Sequence, residues 1–263
     1  ALGSGEFTIE FWINPDVIPT AQEMYLVTNR TTEGFNAGNW YRISMLPGGF
    51  IEVELGLADQ PFGVFFPSSS SLVAGQWSHI AFTRSSDNTI KLYINGVLEN
   101  TAQDVSRNFA SLNGKAYLGI WQNLGIVPFD GSMDELRFWT VARTQNELRL
   151  NKIANLGNEP NLIRNYTFNQ GTSNGENGSV FTLIDAVGGT NGFLDFFALS
   201  SDFSGSNWTN GFSGLVYADS DNDGFGDPNN SQAISSACNI PAGFVSDFSD
   251  CNDLNGDINP NGA

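Results

Sequence analysis

The chain has 263 residues, of which 40% are hydrophobic and 13% aromatic, enough to bury one sizeable core. Its formal net charge is −17, and so acidic a surface repels phosphate backbones and anionic lipids, which argues against nucleic-acid binding and attachment to anionic membranes. No run of about 18 apolar residues occurs, so no segment is predicted to insert into a membrane.

The first third of the chain has the alternating pattern of β-strands. In residues 7–13 every second side chain is apolar, which predicts a strand that the Asn14-Pro15 pair ends. Further strands are predicted over 24–28, 40–46 and 50–57. We expect the Phe- and Ser-rich segment from Pro61 to Ser71 to be irregular.

The chain starts at Ala1, in what we interpret as a loop before the first strand, and without an initiator Met. We therefore expect a fragment of a longer secreted protein from which any signal peptide has been removed.

The next segment predicts a β-hairpin. Ile80 and Phe82 alternate with polar neighbours, and the same alternation continues through Ile90. Asn95 and Gly96 both tolerate positive φ, as the two central residues of a tight hairpin turn must.

Two more strands and one helix follow. The strands are predicted over 115–121 and 133–139. Thr144, followed three residues later by Glu147, fits a capping box at the start of a helix, which we expect to end near Gly157.

Three stretches share a pattern with one family. They are WSHIAFT, LYING and GSMDELRFW, the last followed by the predicted helix. Together they resemble the laminin-G-like, concanavalin A-like module of secreted proteins. The resemblance implies an all-β fold, an antiparallel β-sandwich of the jelly-roll type with one short helix. We expect it to cover residues 1–212, with 160–212 as a closing segment packed on the sandwich.

The composition changes at about residue 213, which predicts a second, small domain over 213–263. From Gly214 to Ala263 there are eight Asp and no Glu, Lys or Arg. The domain begins with DSDNDGFGD, which has carboxylates at positions 1, 3, 5 and 9 and a Gly at position 6. Alternate residues of a tight loop turn their oxygens inward, and Ca²⁺ takes six to eight oxygen ligands.

This pattern predicts a calcium site, and the alternative is a solvated acidic linker. The predicted ligands are Asp219, Asp221, Asp223, the backbone carbonyl of Phe225, and Asp227. Four residues near the end of the chain are predicted to complete or share a second ion site: Asp250, Asp253, Asn255 and Asp257.

The only two cysteines, Cys238 and Cys251, also lie in this tail. Two close cysteines in an acidic, loop-rich segment suggest a disulfide and an oxidising compartment, and two free thiols are the alternative. The tail as a whole resembles the thrombospondin type 3 calcium repeat of secreted bacterial proteins. That resemblance implies Ca²⁺ as the cofactor and a secreted or cell-surface location in a bacterium.

Other candidate sites lie in the first domain. Asp134 and Glu135 stand where relatives often carry acidic residues at a strand entrance, which suggests a second metal site. The alternative is that one of them pairs with Arg137 or caps a turn. Sugar binding uses aromatic faces and planar polar groups, and its loop candidates are Trp40, Tyr41, Phe62, Trp121, Gln122 and Asn123.

Catalysis is not predicted. His79 is the only histidine and belongs to the framework of the resembled family. Glu52 and Glu54 share a strand face, but they lack the third carboxylate of the related glycosidases. We expect a non-enzymatic module for calcium-dependent recognition or adhesion, whose ligand is a polysaccharide, a glycan or a cell-surface protein. The alternatives are a calcium-stiffened spacer and an accessory module of a polysaccharide-degrading enzyme.

Overall fold

In the computed structural model of the protein, the chain divides into two compact units. Unit 1 comprises Ala1–Arg143 with Asn161–Ile163, and unit 2 comprises Thr144–Pro160 with Arg164–Ala263. The predicted boundary near residue 212 stays a prediction. The structure describes residues 2–30, 39–56, 63–105, 108–109, 115–120, 128–154, 156–194, 208–211, 214–234, 240–245, 249–250 and 252–258.

Unit 1 is built from two antiparallel sheets. The strands in chain order are β1 (Phe7–Pro15), β2 (Met24–Thr28), β3 (Trp40–Met45), β4 (Phe50–Gly56), β5 (Val64–Ser71), β6 (Ser78–Arg84), β7 (Thr89–Ile94), β8 (Val97–Gln103), β9 (Tyr117–Leu118), β10 (Gly131–Trp139) and β11 (Leu162–Tyr166), whose first residues belong to this unit. One sheet has the order β11-β10-β1-β6-β7-β8, and the other has the order β5-β4-β3-β2-β9.

The core lies between these two sheets. The apolar residues that face inward from the central strands are buried, including Ile9 in β1 and Ile43 in β3, each 0% exposed. The ring of Phe109 contacts Phe7 of one sheet and Tyr41 of the other, at centroid distances of 5.5 and 6.2 Å. The two packed sheets confirm the predicted antiparallel β-sandwich. Period-2 patterning gives each sheet an apolar face, and these faces pack against each other.

The turn between β7 and β8 is the one that the sequence predicts. Asn95 has φ 54° and Gly96 has φ 80°, so both central residues adopt the left-handed region. This backbone twist matches the twist of the flanking strands.

The prediction of an irregular segment over 61–71 is wrong, because its described part contains β5. This strand pairs with β4 and places Phe66 inward, where it is 2% exposed. Its exposed serines are held by the carboxylate of Glu99 on β8, which accepts hydrogen bonds from Ser69 and Ser70 at 2.6–3.1 Å. A serine-rich sequence has low strand propensity, and pairing with neighbours overrides it.

Unit 2 opens with helix α1 (Gln145–Asn151), and its predicted capping box is confirmed. The Thr144 hydroxyl accepts the Glu147 N–H at 3.3 Å, and the Glu147 carboxylate accepts the Thr144 N–H at 2.7 Å. The helix ends well before Gly157, because the Ala154 N–H donates to the Asn151 carbonyl, three residues back, and closes the last turn.

The rest of unit 2 contains short strands, which are β12 (Thr182–Leu183), β13 (Gly192–Phe193), β14 (Gly214–Ala218), β15 (Ser231–Ile234) and β16 (Phe244–Val245). The last three form a sheet of order β15-β14-β16, so the acidic tail has a regular framework that the sequence did not predict. Among the described residues, no helix is long and apolar enough to cross a membrane.

Candidate functional site

The acidic loop of the tail begins where β14 ends. The Asp219 carboxylate is buried and accepts the N–H groups of Asp223 and Gly224, each at 3.1 Å. Gly224 has φ +89°, which fits the sharp turn that the predicted calcium loop needs at its sixth position. These bonds bend the loop so that its alternate carboxylates converge.

A second acidic segment lies against this loop from thirty residues further along the chain. The Ser220 N–H and hydroxyl donate to the two carboxylate oxygens of Asp253 at 2.8 and 2.5 Å. The Asp250 N–H donates to the Gly226 carbonyl at 3.2 Å. The chain therefore brings members of both predicted groups of calcium ligands together.

Two clusters of carboxylates result. Asp219, Asp221 and Asp223 form one, and Asp221 forms the other with Asp250 and Asp253. Within each cluster the possible ligand atoms all lie within 4.8 Å of one another. Asp221 belongs to both.

Three carboxylate oxygens of these clusters indicate that the residues fit a cation. The Oδ2 atoms of Asp221, Asp223 and Asp250 are buried and accept no hydrogen bond. Burial raises the pKa of both Asp219 and Asp250. The negative charges of Asp223 and Asp221 raise the pKa of Asp250 further. Unsatisfied, mutually repelling carboxylate oxygens suit a hard divalent cation, so the donor set fits Ca²⁺.

The remaining predicted ligands are placed differently. Asp227 accepts the backbone N–H of Asn229 at 2.8 Å and lines a cleft of about 380 Å³ together with Asp250 and Asp253. Asp257 is exposed and belongs to neither cluster, and its N–H donates to Asn255 in a local turn.

Several predicted residues lie outside the described ones. Their arrangement therefore stays a prediction. They are Cys238, Cys251, Phe62, Trp121, Gln122 and Asn123.

Asp134 and Glu135 are engaged with other protein groups. Glu135 accepts a hydrogen bond from the Arg137 guanidinium at 2.7 Å, which matches the alternative that the sequence left open. Asp134 accepts the N–H of Glu135 at 2.9 Å. Among the described acidic residues, neither belongs to a cluster that could hold a metal ion.

His79 is buried in a network of polar groups. Its Nε2 lies 3.2 Å from a carboxylate oxygen of Glu10, whose other oxygen accepts the indole N–H of Trp139 at 2.7 Å. Burial alone would raise the pKa of Glu10, but the hydrogen bond and charge of His79, with the charges of Arg137 and Arg143, lower it to about 2.

A second polar cluster lies on the five-stranded sheet, on the face opposite the core. Arg42 of β3 is its centre, and its guanidinium lies 2.8 Å from Glu54 and 3.0 Å from Glu23. The same group donates to the Tyr25 hydroxyl at 2.7 Å and lies 3.7 Å from Glu52. We call these five residues the Arg42 cluster.

Strand register explains the cluster. Arg42 is directly opposite Glu54 in the β3–β4 ladder, and Ser44 is opposite Glu52. Burial raises the pKa of Glu52, the Arg42 charge opposes this, and Glu23 and Glu54 raise it further. The sequence showed that Glu52 and Glu54 share a face but gave no sign that Arg42 and Tyr25 join them.

The two predicted aromatics of β3 point to opposite faces. Tyr41 faces the core, so the structure does not bring it to the Arg42 cluster. Trp40 is on the same side as Arg42, is 5% exposed, and has the Arg30 guanidinium 4.3 Å from its ring centroid. Its indole lies over Gly56, where a Cβ would overlap the ring.

More than half of the chain matches one known protein family. Residues 1–149 match the laminin G-type family described as the concanavalin A-like lectin/glucanases superfamily. The chain belongs to this family. The match covers the strands of unit 1 up to β10, so the concanavalin A-like sandwich carries the Arg42 cluster.

Individual relatives of this concanavalin A-like chain are distant. A Bacteroides ovatus protein proposed to bind carbohydrate has 25% identity and a TM-score of 0.55, over 73% of this chain and 52% of that one. The sialidase CBM40 of Ruminococcus gnavus bound to α2,3-sialyllactose has 19% identity and a TM-score of 0.47, over 56% of this chain and 82% of that one. The human adhesion G-protein coupled receptor D1 is 30% identical over 112 residues, which are 42% of this chain and 13% of the receptor.

Proposed function

We propose that this chain is a non-catalytic carbohydrate-binding module that acts outside the cell and binds calcium through its C-terminal tail. Membership in a lectin/glucanase superfamily supports the carbohydrate part, as does the likeness to the Bacteroides ovatus protein. Fold alone does not assign a function, so the proposal rests on the chemistry of two places, the Arg42 cluster and the acidic loop.

The Arg42 cluster is the proposed glycan contact. A sheet face that carries a fixed guanidinium, carboxylates and a phenol offers the planar donors and acceptors that sugar hydroxyls require. Glu23 and Glu52 are its more accessible members, with side chains 27% and 12% exposed. Because three carboxylates surround one guanidinium, the cluster carries excess negative charge, and we propose that it selects neutral sugars over acidic ones.

The buried carboxylate oxygens without a hydrogen bond carry the calcium proposal. Three such atoms, on Asp221, Asp223 and Asp250, converge in one small region. In the proposed thrombospondin type 3-like repeat these residues would hold Ca²⁺, and the ion would offset the cost of burying their charge.

The environment of the only histidine supports a non-catalytic role. His79 is 1% exposed and paired with Glu10, so it is not placed to take a proton from a substrate in solution. General-base catalysis requires the base within hydrogen-bond reach of that proton.

The glycan proposal is tested by screening the chain on arrays of neutral and sialylated glycans. We expect binding to neutral polysaccharide that Glu23→Gln and Glu52→Gln each weaken by about tenfold, the loss of one good polar contact. Lys91→Ala, on the other sheet, is the control and should bind as the parent does. Failure to bind any glycan, or equal loss in the control, contradicts the proposal.

A second candidate function is a calcium-stiffened spacer. One observation favours it, because Trp40 is almost buried and Arg30 lies over its ring, which leaves little aromatic surface for a sugar. A chain that is stabilised by calcium but binds no glycan on the arrays would support the spacer.

A further inference from the structure

The acidic loop of the tail packs against helix α1. The Phe225 side chain is 4% exposed, and the Arg149 guanidinium carbon lies 3.2 Å from the centroid of its ring. Next to it, a Cβ on Gly224 would come within 2.8 Å of the Leu150 side chain. Helix and loop are separated by some seventy residues of sequence but belong to the same compact unit.

These contacts fall on two residues of the loop that have defined roles in ion binding. Gly224 occupies the sixth position, where the loop turns sharply, and Phe225 occupies the seventh, which supplies a backbone carbonyl in loops of this type. A ring held under a guanidinium fixes the peptide to which it is attached, and a cation over an aromatic face contributes more when both are buried.

We propose that Arg149 is a positioning residue of the calcium site. It holds Phe225, with Leu150 beside Gly224, so that the loop is preorganised for the ion. This inference rests on the calcium binding proposed above. Because coupling between two sites is reciprocal, calcium binding stabilises α1 by the same factor by which α1 strengthens calcium binding.

Charge repulsion and positioning predict opposite effects of removing Arg149 on calcium affinity. Arg149 is a cation close to a site for a cation, so charge repulsion alone predicts that its removal tightens calcium binding. The positioning role predicts weaker binding, because the loop then loses the contact that holds Phe225 in place.

The test is calorimetric titration of the whole 263-residue chain with calcium chloride. We expect Arg149→Ala to weaken binding about tenfold, and Phe225→Leu to do the same while leaving every charge intact. Phe225→Tyr keeps an aromatic face and should bind close to the parent. Arg164→Ala is the matched control, because it removes one positive charge from the same unit at a residue that faces Asp185.

A second readout follows the helix itself. At the two ends of α1, the Leu148 N–H donates to the carbonyl of the N-cap Thr144 at 3.0 Å, and the N–H of the C-cap Lys152 donates to the Leu148 carbonyl at 3.1 Å. Calcium should slow their hydrogen exchange in the parent and in Arg164→Ala, and much less in Arg149→Ala. This measurement separates positioning of the loop from a general loss of stability.

The two proposals fail in different ways. If the parent chain shows no calcium binding, the proposed calcium function is wrong and the positioning role is wrong with it. If the parent binds calcium and Arg149→Ala and Phe225→Leu bind it equally well or more tightly, only the positioning role is overturned.

Discussion

Asp221→Asn tests the shared carboxylate of the acidic tail. Asp221 belongs to both carboxylate clusters, and its Oδ2 is one of the buried oxygens without a hydrogen bond. An amide keeps the shape of the side chain and removes its charge. We expect the substitution to have opposite effects on stability with and without calcium.

The effect without calcium follows from repulsion. Burial raises the pKa of Asp250, and the charges of Asp223 and Asp221 raise it further, so the clustered carboxylates repel one another in the ion-free chain. Removing one charge relieves that repulsion. In EDTA, Asp221→Asn should therefore melt at the same temperature as the parent or higher.

The effect with calcium follows from linkage. Extracellular calcium modules have Kd values of about 10⁻⁴–10⁻³ M, so about 10 mM calcium is ten to a hundred times Kd. Binding then stabilises the folded chain by about 1.4–2.7 kcal/mol. For a chain of this size that corresponds to a rise in Tm of roughly 3–10 °C, most of which Asp221→Asn should abolish.

The assay is differential scanning calorimetry of parent and variant in calcium and in EDTA. Asp257→Asn is the matched control, since it makes the same charge change in the same tail at an exposed residue outside both clusters. A full calcium-dependent rise in Tm in Asp221→Asn would refute the reasoning, and so would a lower Tm of this variant in EDTA.

Three further changes test the rest of the molecule. Folding lowers the pKa of Glu10 from 4.5 to about 2. The ionised carboxylate therefore contributes roughly 3 kcal/mol to the free energy of unfolding above pH 4.5, and this contribution is lost as the pH falls toward 2. Unfolding measured as a function of acid pH should show the loss, and Glu10→Gln should give a flatter pH profile. Gly56→Ala forces a methyl against the Trp40 indole and should cost about 1–3 kcal/mol in urea unfolding, whereas Gly5→Ala, which meets no atom within 4 Å, should cost far less. Thr144→Ala removes the N-cap of α1 and should cost about 1 kcal/mol by the same measurement, and an unchanged midpoint would contradict the capping role.

The sequence predicted those parts of the fold whose causes are local. Alternation of apolar residues located β1 to β4, and the Asn95-Gly96 turn followed from the backbone freedom of its two residues. The capping box of α1 was predicted because both of its partners lie within four residues. The serine-rich strand β5 was missed, because its order depends on pairing with β4 and on Glu99.

The candidate site divides in the same way. The spacing of Asp219, Asp221 and Asp223 predicted a tight carboxylate loop, and the structure folds them into one cluster. Residues beyond the loop were only partly anticipated. Asp250 joins the loop, whereas Asp257 remains exposed in a turn of its own.

By itself, then, the sequence determined the first strands, the hairpin turn, the start of the helix and the acidic loop, because each depends on energies set by neighbouring residues. Only the tertiary structure decided that Glu23, Glu52 and Glu54 surround Arg42, that Asp221 is shared with Asp250 and Asp253, and that Phe225 lies under Arg149. These contacts join residues on different strands, helices and loops. Their partners are chosen by strand register and by the return of the chain onto itself, which local sequence does not encode.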